Sequence, residues 1–158
     1  MAVTTKNLTY RGDLRAIVPL ANKLVMTTVH PDGQSTALYR IDPEKLELES
    51  IDFPCGGPCL ATTTRWQPDQ SMPTRNQSAW IGGDDGRLYR LASSAKKVET
   101  LKHPLGTPAR KLLSLDENSL AALCGAKLVI VDAADGHEIQ TFDLGETGTA
   151  IACDPTGN

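Results

Sequence analysis

The sequence predicts an all-β fold, and three observations carry the prediction. No stretch sustains a 3.6-residue apolar period between helix caps, while 10 Pro and 13 Gly are spread through the 158 residues. Short apolar or alternating runs are separated by turn clusters along the whole length. Finally, Ala79-Trp80-Ile81-Gly82-Gly83-Asp84-Asp85-Gly86-Arg87-Leu88-Tyr89-Arg90-Leu91 has the form of a hairpin. An apolar run stops at a Gly-Gly-Asp-Asp-Gly turn. The returning run sets Leu88 and Arg90 on one face and Tyr89 and Leu91 on the other. Glycine accepts the positive φ that a tight hairpin turn needs.

In chain order, residues 3–10 read as a strand ended by Arg11-Gly12-Asp13. Strands follow over 14–20, 23–29 and 36–41, with Ala21-Asn22 and His30-Pro31-Asp32-Gly33 as the turns between them. Asp42-Pro43-Glu44-Lys45 turns the chain into a strand over 46–53, and Pro54 to Pro58 breaks it. A second cycle has a strand over 59–66, a polar insert over 67–76 that suits a surface loop, and the hairpin strands 77–81 and 87–91. A strand over 96–101 ends it, and His103-Pro104-Leu105-Gly106-Thr107-Pro108 is the break. The third cycle comprises strands over 109–115, 119–124, 127–131 and 137–144. Residues 149–153 open a fourth.

The cycles are repeats. Leu38-Tyr39-Arg40-Ile41, Leu88-Tyr89-Arg90-Leu91 and Leu128-Val129-Ile130-Val131 align as third strands, with spacings of 50 and 40 residues between the leading leucines. Four strands in about 45 residues is the size of one propeller blade, a small antiparallel sheet radiating from a central axis. A β-sandwich with coincidental spacing is the competing reading. The expected organisation is a single incomplete β-propeller domain over 1–158. It assigns an outer closing strand to 1–13, blades to 14–58, 59–108 and 109–148, and the first strand of a further blade to 149–158. Three blades with part-blades at both ends expose strand edges. The expectation is therefore an N-terminal portion of a larger propeller, or a half that another chain completes, with a homo-oligomer through the open edges as one form of this. A lone three-blade array with frayed ends is the alternative.

Composition bounds the function. A net charge of −3, a pI of about 5.6 and the lack of a dense basic face argue against a nucleic-acid binder. No apolar run reaches the length of a membrane span, and Met1 to Asn7 lacks the apolar core of a signal peptide, so a cytoplasmic chain is expected. Cys124 and Cys153 sit in apolar runs as small buried residues. Cys55 and Cys59 form a single C-x3-C without the second Cys/His pair that a structural metal requires. Asp84-Asp85-Gly86, Asp132 and Asp135 read as turn chemistry, and Asp154-Pro155-Thr156-Gly157 lacks the Gly-Lys-Ser/Thr of a phosphate loop. His30, His103 and His137 fall at turns or strand starts, and no Ser lies in a G-x-S-x-G elbow. No catalytic residue, metal or cofactor is assigned.

Val131-Asp132-Ala133-Ala134-Asp135-Gly136-His137-Glu138, followed by residues 149–158, resembles the end of one WD repeat and the start of the next. Val131 stands where that family has Trp, Asp135-Gly136 replaces Thr-Gly, and the paired Gly-His and Trp-Asp signatures are missing. The Gly-Gly-Asp-Asp-Gly-Arg-Leu-Tyr stretch at 82–89 is similar to repeats of quinoprotein-like propellers. Those repeats carry a blade-stapling Trp after a Thr-Gly turn, which Gln140-Thr141 does not supply. The resemblance implies a divergent WD-repeat-like interaction scaffold for protein partners. The alternatives are the binding or sensor half of a propeller enzyme with its catalytic residues elsewhere, and a small-ligand binder using the central channel. In such propellers one loop edge receives partners, which singles out Arg11, Asp13, His30, Asp84, Asp85, Arg87 and Lys127.

Overall fold

The structure, a computed structural model, describes residues 7–31, 36–54, 56, 59–62 and 78–152. The described residues contain no helix. The first blade comprises β1 (Asp13–Leu20), β2 (Lys23–Val29), β3 (Thr36–Asp42) and β4 (Glu47–Ile51). The second comprises β5 (Cys59–Thr62), β6 (Ser78–Gly82), β7 (Leu88–Ala92) and β8 (Glu99–Thr100). The third comprises β9 (Lys111–Ser114), β10 (Ser119–Cys124), β11 (Lys127–Asp132) and β12 (Glu138–Asp143). Each set pairs in chain order as a four-stranded antiparallel sheet. The first strands β1, β5 and β9 lie side by side on the inner side, with β5 between the other two. The architecture is an incomplete all-β propeller.

The third-strand alignment is a true structural equivalence. Leu38 pairs with Thr27, Leu88 with Gly82 and Leu128 with Leu123, each near the second-to-third-strand turn. Alternate residues of a strand point to opposite faces. Leu88 therefore packs with Trp80 against Leu112, Leu120, Val129 and Val131 of the third blade. Tyr89 and Leu91 pack with Leu60, Ala79 and Ile81 against Leu20, Val25, Leu38 and Ile51 of the first. Both faces of β7 are buried because the second blade is sandwiched. Every blade thus has a forward face, carrying Leu38, Leu88 or Leu128, and a backward face, carrying Tyr39, Tyr89 or Val129. Side chains such as Leu20, Ile81, Leu91 and Leu120 are completely buried, each worth about 1.5–3 kcal/mol relative to exposure.

Polar latches reinforce the stacking. Arg40 Nη1 donates to the Ser93 carbonyl at 2.6 Å, and Trp80 Nε1 donates to the Ala133 carbonyl at 2.8 Å. Ser93 and Ala133 each follow the third strand of the next blade, so its third-to-fourth-strand turn is gripped in the same place both times. A parallel bridge between Asp52 and Lys97 adds to the first junction. At the second, the His103 N–H donates to the Asp135 carbonyl at 3.0 Å.

Several element boundaries differ from expectation. Residues 7–10 of the expected first strand take irregular backbone, as do 149–152 of the expected fourth-cycle strand; 1–6 and 153–158 lie outside the described residues. Residues 7–10 run instead beside the backward face of the first blade, where Leu8 packs with Met26, Tyr39 and Ile41. Leu46 adopts φ +53° and so ends the turn where a strand start is expected. The strand expected over 96–101 shortens to Glu99–Thr100. The polar insert 67–76, Cys55 and Cys153 are outside the described residues.

Candidate functional site

The loop-edge residues take their places from the antiparallel meander, in which the entry to a blade and its second-to-third-strand turn share one end. Asp13 opens β1 opposite Val29, and His30 follows β2. Asp84, Asp85 and Arg87 lie between β6 and β7, and Lys127 opens β11. All are exposed, as is Arg11. Arg11 is anchored through its backbone, its N–H donating to Tyr39 Oη at 3.2 Å and its carbonyl accepting from the Thr28 hydroxyl. Asp85 accepts from Tyr89 Oη at 2.6 Å and stands 3.8 Å from Arg87 Nε. These residues line an edge without converging on a common point.

The two ends of the blade stack carry the large exposed apolar side chains. Tyr10, Leu14 and Ile17 stand at the first blade, and Ile139, Phe142 and Leu144 at the third, each between 41% and 54% exposed. Phe142 is the cross-strand partner of Leu128 and shares its forward face. The inner part of that face is capped by the following segment: the Gly148 N–H donates to the Gly125 carbonyl, and Gly148 lies directly over Leu123. At the first blade, a cleft of about 470 Å³ is lined by Asn7, Leu8, Lys23, Arg40, Asp42 and Glu49 among others. Arg40, almost fully buried, binds Glu49 Oε2 through Nη2 at 2.8 Å and holds the Glu49 carboxyl below its ordinary range.

One convergent cluster was not legible in the turn chemistry. In the β11–β12 turn, Asp135 Oδ1 accepts from the His137 N–H at 3.0 Å and lies 2.8 Å from His137 Nδ1. From the second blade, His103 brings Nε2 to 3.7 Å from Asp135 Oδ2. The two imidazole rings stand edge to face, 6.4 Å apart. Asp132 adds a second acidic group to the turn, and one ligand atom each from Asp132, Asp135 and His137 lie within 4.8 Å of one another. The backbone and side-chain hydrogen bonds from His137, with the nearby imidazoles, hold the Asp135 carboxyl below its ordinary range. Gly136 permits the close approach: it has φ +83°, and a Cβ there would stand 2.8 Å from the His103 carbonyl oxygen. Each residue of the cluster does sit in a turn, as expected; Asp132, Asp135 and His137 share one turn, and docking of two blades adds His103. Buried Cys124 is inert by contrast, its thiol pushed up to about 11 by desolvation.

No protein-family model matches the sequence. No curated protein matches it. In fold, the chain is similar to a solved chain of Kuenenia stuttgartiensis hydrazine synthase, with a TM-score of 0.67 and 11% sequence identity. The similarity covers 98% of this chain and 44% of that one, so this chain spans less than half of its structural neighbour. No helix among the described residues is long and apolar enough to cross a membrane. The meander of four-stranded blades and this likeness together place the chain among propeller-like folds.

Proposed function

We propose that the chain is a non-catalytic interaction scaffold, a WD-repeat-like propeller portion completed by further blades or by another chain. The observation that carries the reading is the forward face of the third blade. Its equivalents on the first and second blades are buried against a neighbour, whereas here Leu128 and Ile130 are only half-buried and Phe142 is exposed. Blade faces of this composition are covered by another sheet in both junctions of this molecule, and a protein surface of matching apolar character is the natural occupant. The loop edge of Arg11, Asp13, His30, Asp84, Asp85, Arg87 and Lys127 supplies a separate, mixed-charge surface for a protein partner.

The test is sedimentation velocity on the wild-type chain and on the double variant Leu128→Asp/Phe142→Asp. Concentration-dependent association that the variant abolishes supports the reading. Association of equal strength in the variant overturns the assignment of the face. The second reading, the binding half of a propeller enzyme, is favoured by one observation: the structural neighbour is named as a synthase. Converging catalytic groups on completing blades would decide for it.

A further inference from the structure

We infer that the occupant of the open third-blade face is a second copy of this chain, docked head to tail. The forward face of one copy's third blade packs on the backward face of the other copy's first blade. The inference rests on the scaffold reading, which assigns the third-blade face as an interaction surface, and it names the partner.

Strand register locates both halves of the missing junction. Ile17 pairs with Met26, which pairs with Tyr39. Leu60 pairs with Ile81, which pairs with Tyr89. Leu112 pairs with Ala122, which pairs with Val129. Ile17, Leu60 and Leu112 are therefore one position on the first strand of each blade, turned to the backward face. Leu60 and Leu112 are 9% and 8% exposed, because the preceding blade covers them, whereas Ile17 is 48% exposed. At the other end of the stack, Phe142 pairs with Leu128 as Ile51 pairs with Leu38. Ile51 is 3% exposed and Phe142 42%.

In the first junction Leu38 and Ile51 share a core with Leu60, and in the second Leu88 shares one with Leu112. Leu128 and Phe142 at one end and Ile17 at the other are the two halves of a third contact of the same kind. The second blade stands between them within one chain, so a second molecule has to bring them together.

The segments that lie on these two faces have counterparts inside the complete junctions. Leu8 packs on Tyr39, and Phe53, ahead of the second blade, stands edge to face with the equivalent Tyr89 at 5.2 Å. The Gly148 N–H donates to the Gly125 carbonyl, and Gly148 lies over Leu123. At the second junction the Leu105 N–H donates to the Gly86 carbonyl, and Ala109 lies over Gly82, the counterpart of Leu123. Both end faces thus carry what an internal junction carries, apart from the neighbouring blade.

The polar latch is the one part not repeated. Arg40 and Trp80 belong to the same cross-strand pair of their blades, Val25–Arg40 and Trp80–Arg90. Its counterpart in the third blade, Ala121–Ile130, has no side-chain donor. The contact between copies therefore rests on apolar packing and is reversible. Two copies related by a two-fold axis would form two such junctions and six blades, within the four to eight of closed propellers.

The test is sedimentation velocity on the full chain, on Ile17→Asp, on Phe142→Asp and on an equimolar mixture of the two variants. Both side chains are exposed in the single copy, so both variants should keep the circular dichroism of the wild type. Ile17→Asp decides the case alone should Phe142→Asp fail to fold. Every head-to-tail junction needs one sound face from each copy. The expected result is a wild-type dimer, a monomer for each variant alone, and a one-to-one complex in the mixture. That complex should bind roughly tenfold or more weakly than the wild-type pair, having one junction in place of two. Association of Ile17→Asp equal to that of the wild type would overturn the inference and leave the third-blade face as an interaction surface for a different partner. A monomeric wild type, or a mixture that stays monomeric where the wild type associates, would also overturn it.

Discussion

Trp80 and Arg40 do equivalent work in consecutive blades. Each side chain crosses a blade junction and gives a hydrogen bond to the carbonyl that follows the next blade's third strand. The Ala133 carbonyl is reached from a buried indole, so its partner cannot be replaced by water without opening the junction. Trp80→Phe keeps most of the apolar contact and removes the donor. The expected cost is about 1–3 kcal/mol in urea unfolding, the penalty for a buried acceptor left unpaired. Arg40 gives a pH-dependent counterpart. Its hydrogen bond and charge lower the Glu49 pKa from the ordinary value of 4.5. A carboxyl lowered in the folded state stabilises fully above its unfolded value, and the contribution is lost as pH falls through the folded value. Glu49 is 43% exposed, so solvent screening limits the effect to under about 1 kcal/mol. Glu49→Gln should flatten the acid side of the stability–pH curve and leave the neutral region nearly level. An unchanged acid slope would remove this pair from the account. At this scale the sequence was partly legible: Trp80 lies in the apolar run before the Gly-Gly-Asp-Asp-Gly turn and Arg40 in an aligned third strand, but their acceptors lie in the next blade and have no local signal.

Among the elements, the strands with clean turns were read to the residue. Lys23–Val29 and Ser119–Cys124 coincide with expectation because Ala21-Asn22 and Gly125-Ala126 punctuate them sharply. The misreadings also have causes. Leu46 carries a left-handed φ that apolar character does not announce. Glu99–Thr100 is a short exposed outer strand whose flanks, Val98 and Leu101, pack inward, so alternation in residues 96–101 overstated its pairing. The contact of His103 with Asp135 escaped notice for a related reason: Asp135 and His137 are turn residues by composition, and His103 joins them only when the third-to-fourth-strand turn docks on the preceding blade. That docking makes a prediction for the element. Gly136→Ala introduces a Cβ 2.8 Å from a backbone oxygen at a residue with φ +83°. The expected loss is about 1–3 kcal/mol by thermal unfolding. A neutral substitution would mean that the turn does not seat on His103 as described.

For the molecule as a whole, the repeat of four strands carried the architecture, because one blade equivalence fixes the direction of every other face. With forward and backward faces assigned, the unpaired position becomes specific: Leu128 occupies the place that Leu38 and Leu88 fill inside a junction, and Phe142 the place that Ile51 fills beside Leu38. The ends were the least legible part. Residues 7–10 and 149–152 read as strands, yet they lie as irregular segments, the first beside the backward face of the first blade and the second following Gly148, which covers Leu123. The measurement that tests the central claim most directly is the mass of the chain in solution, by light scattering across a concentration series. The account predicts association, as a discrete oligomer or a concentration-dependent mixture, since an apolar blade face is open. A soluble, cooperatively folding monomer at every concentration would contradict it.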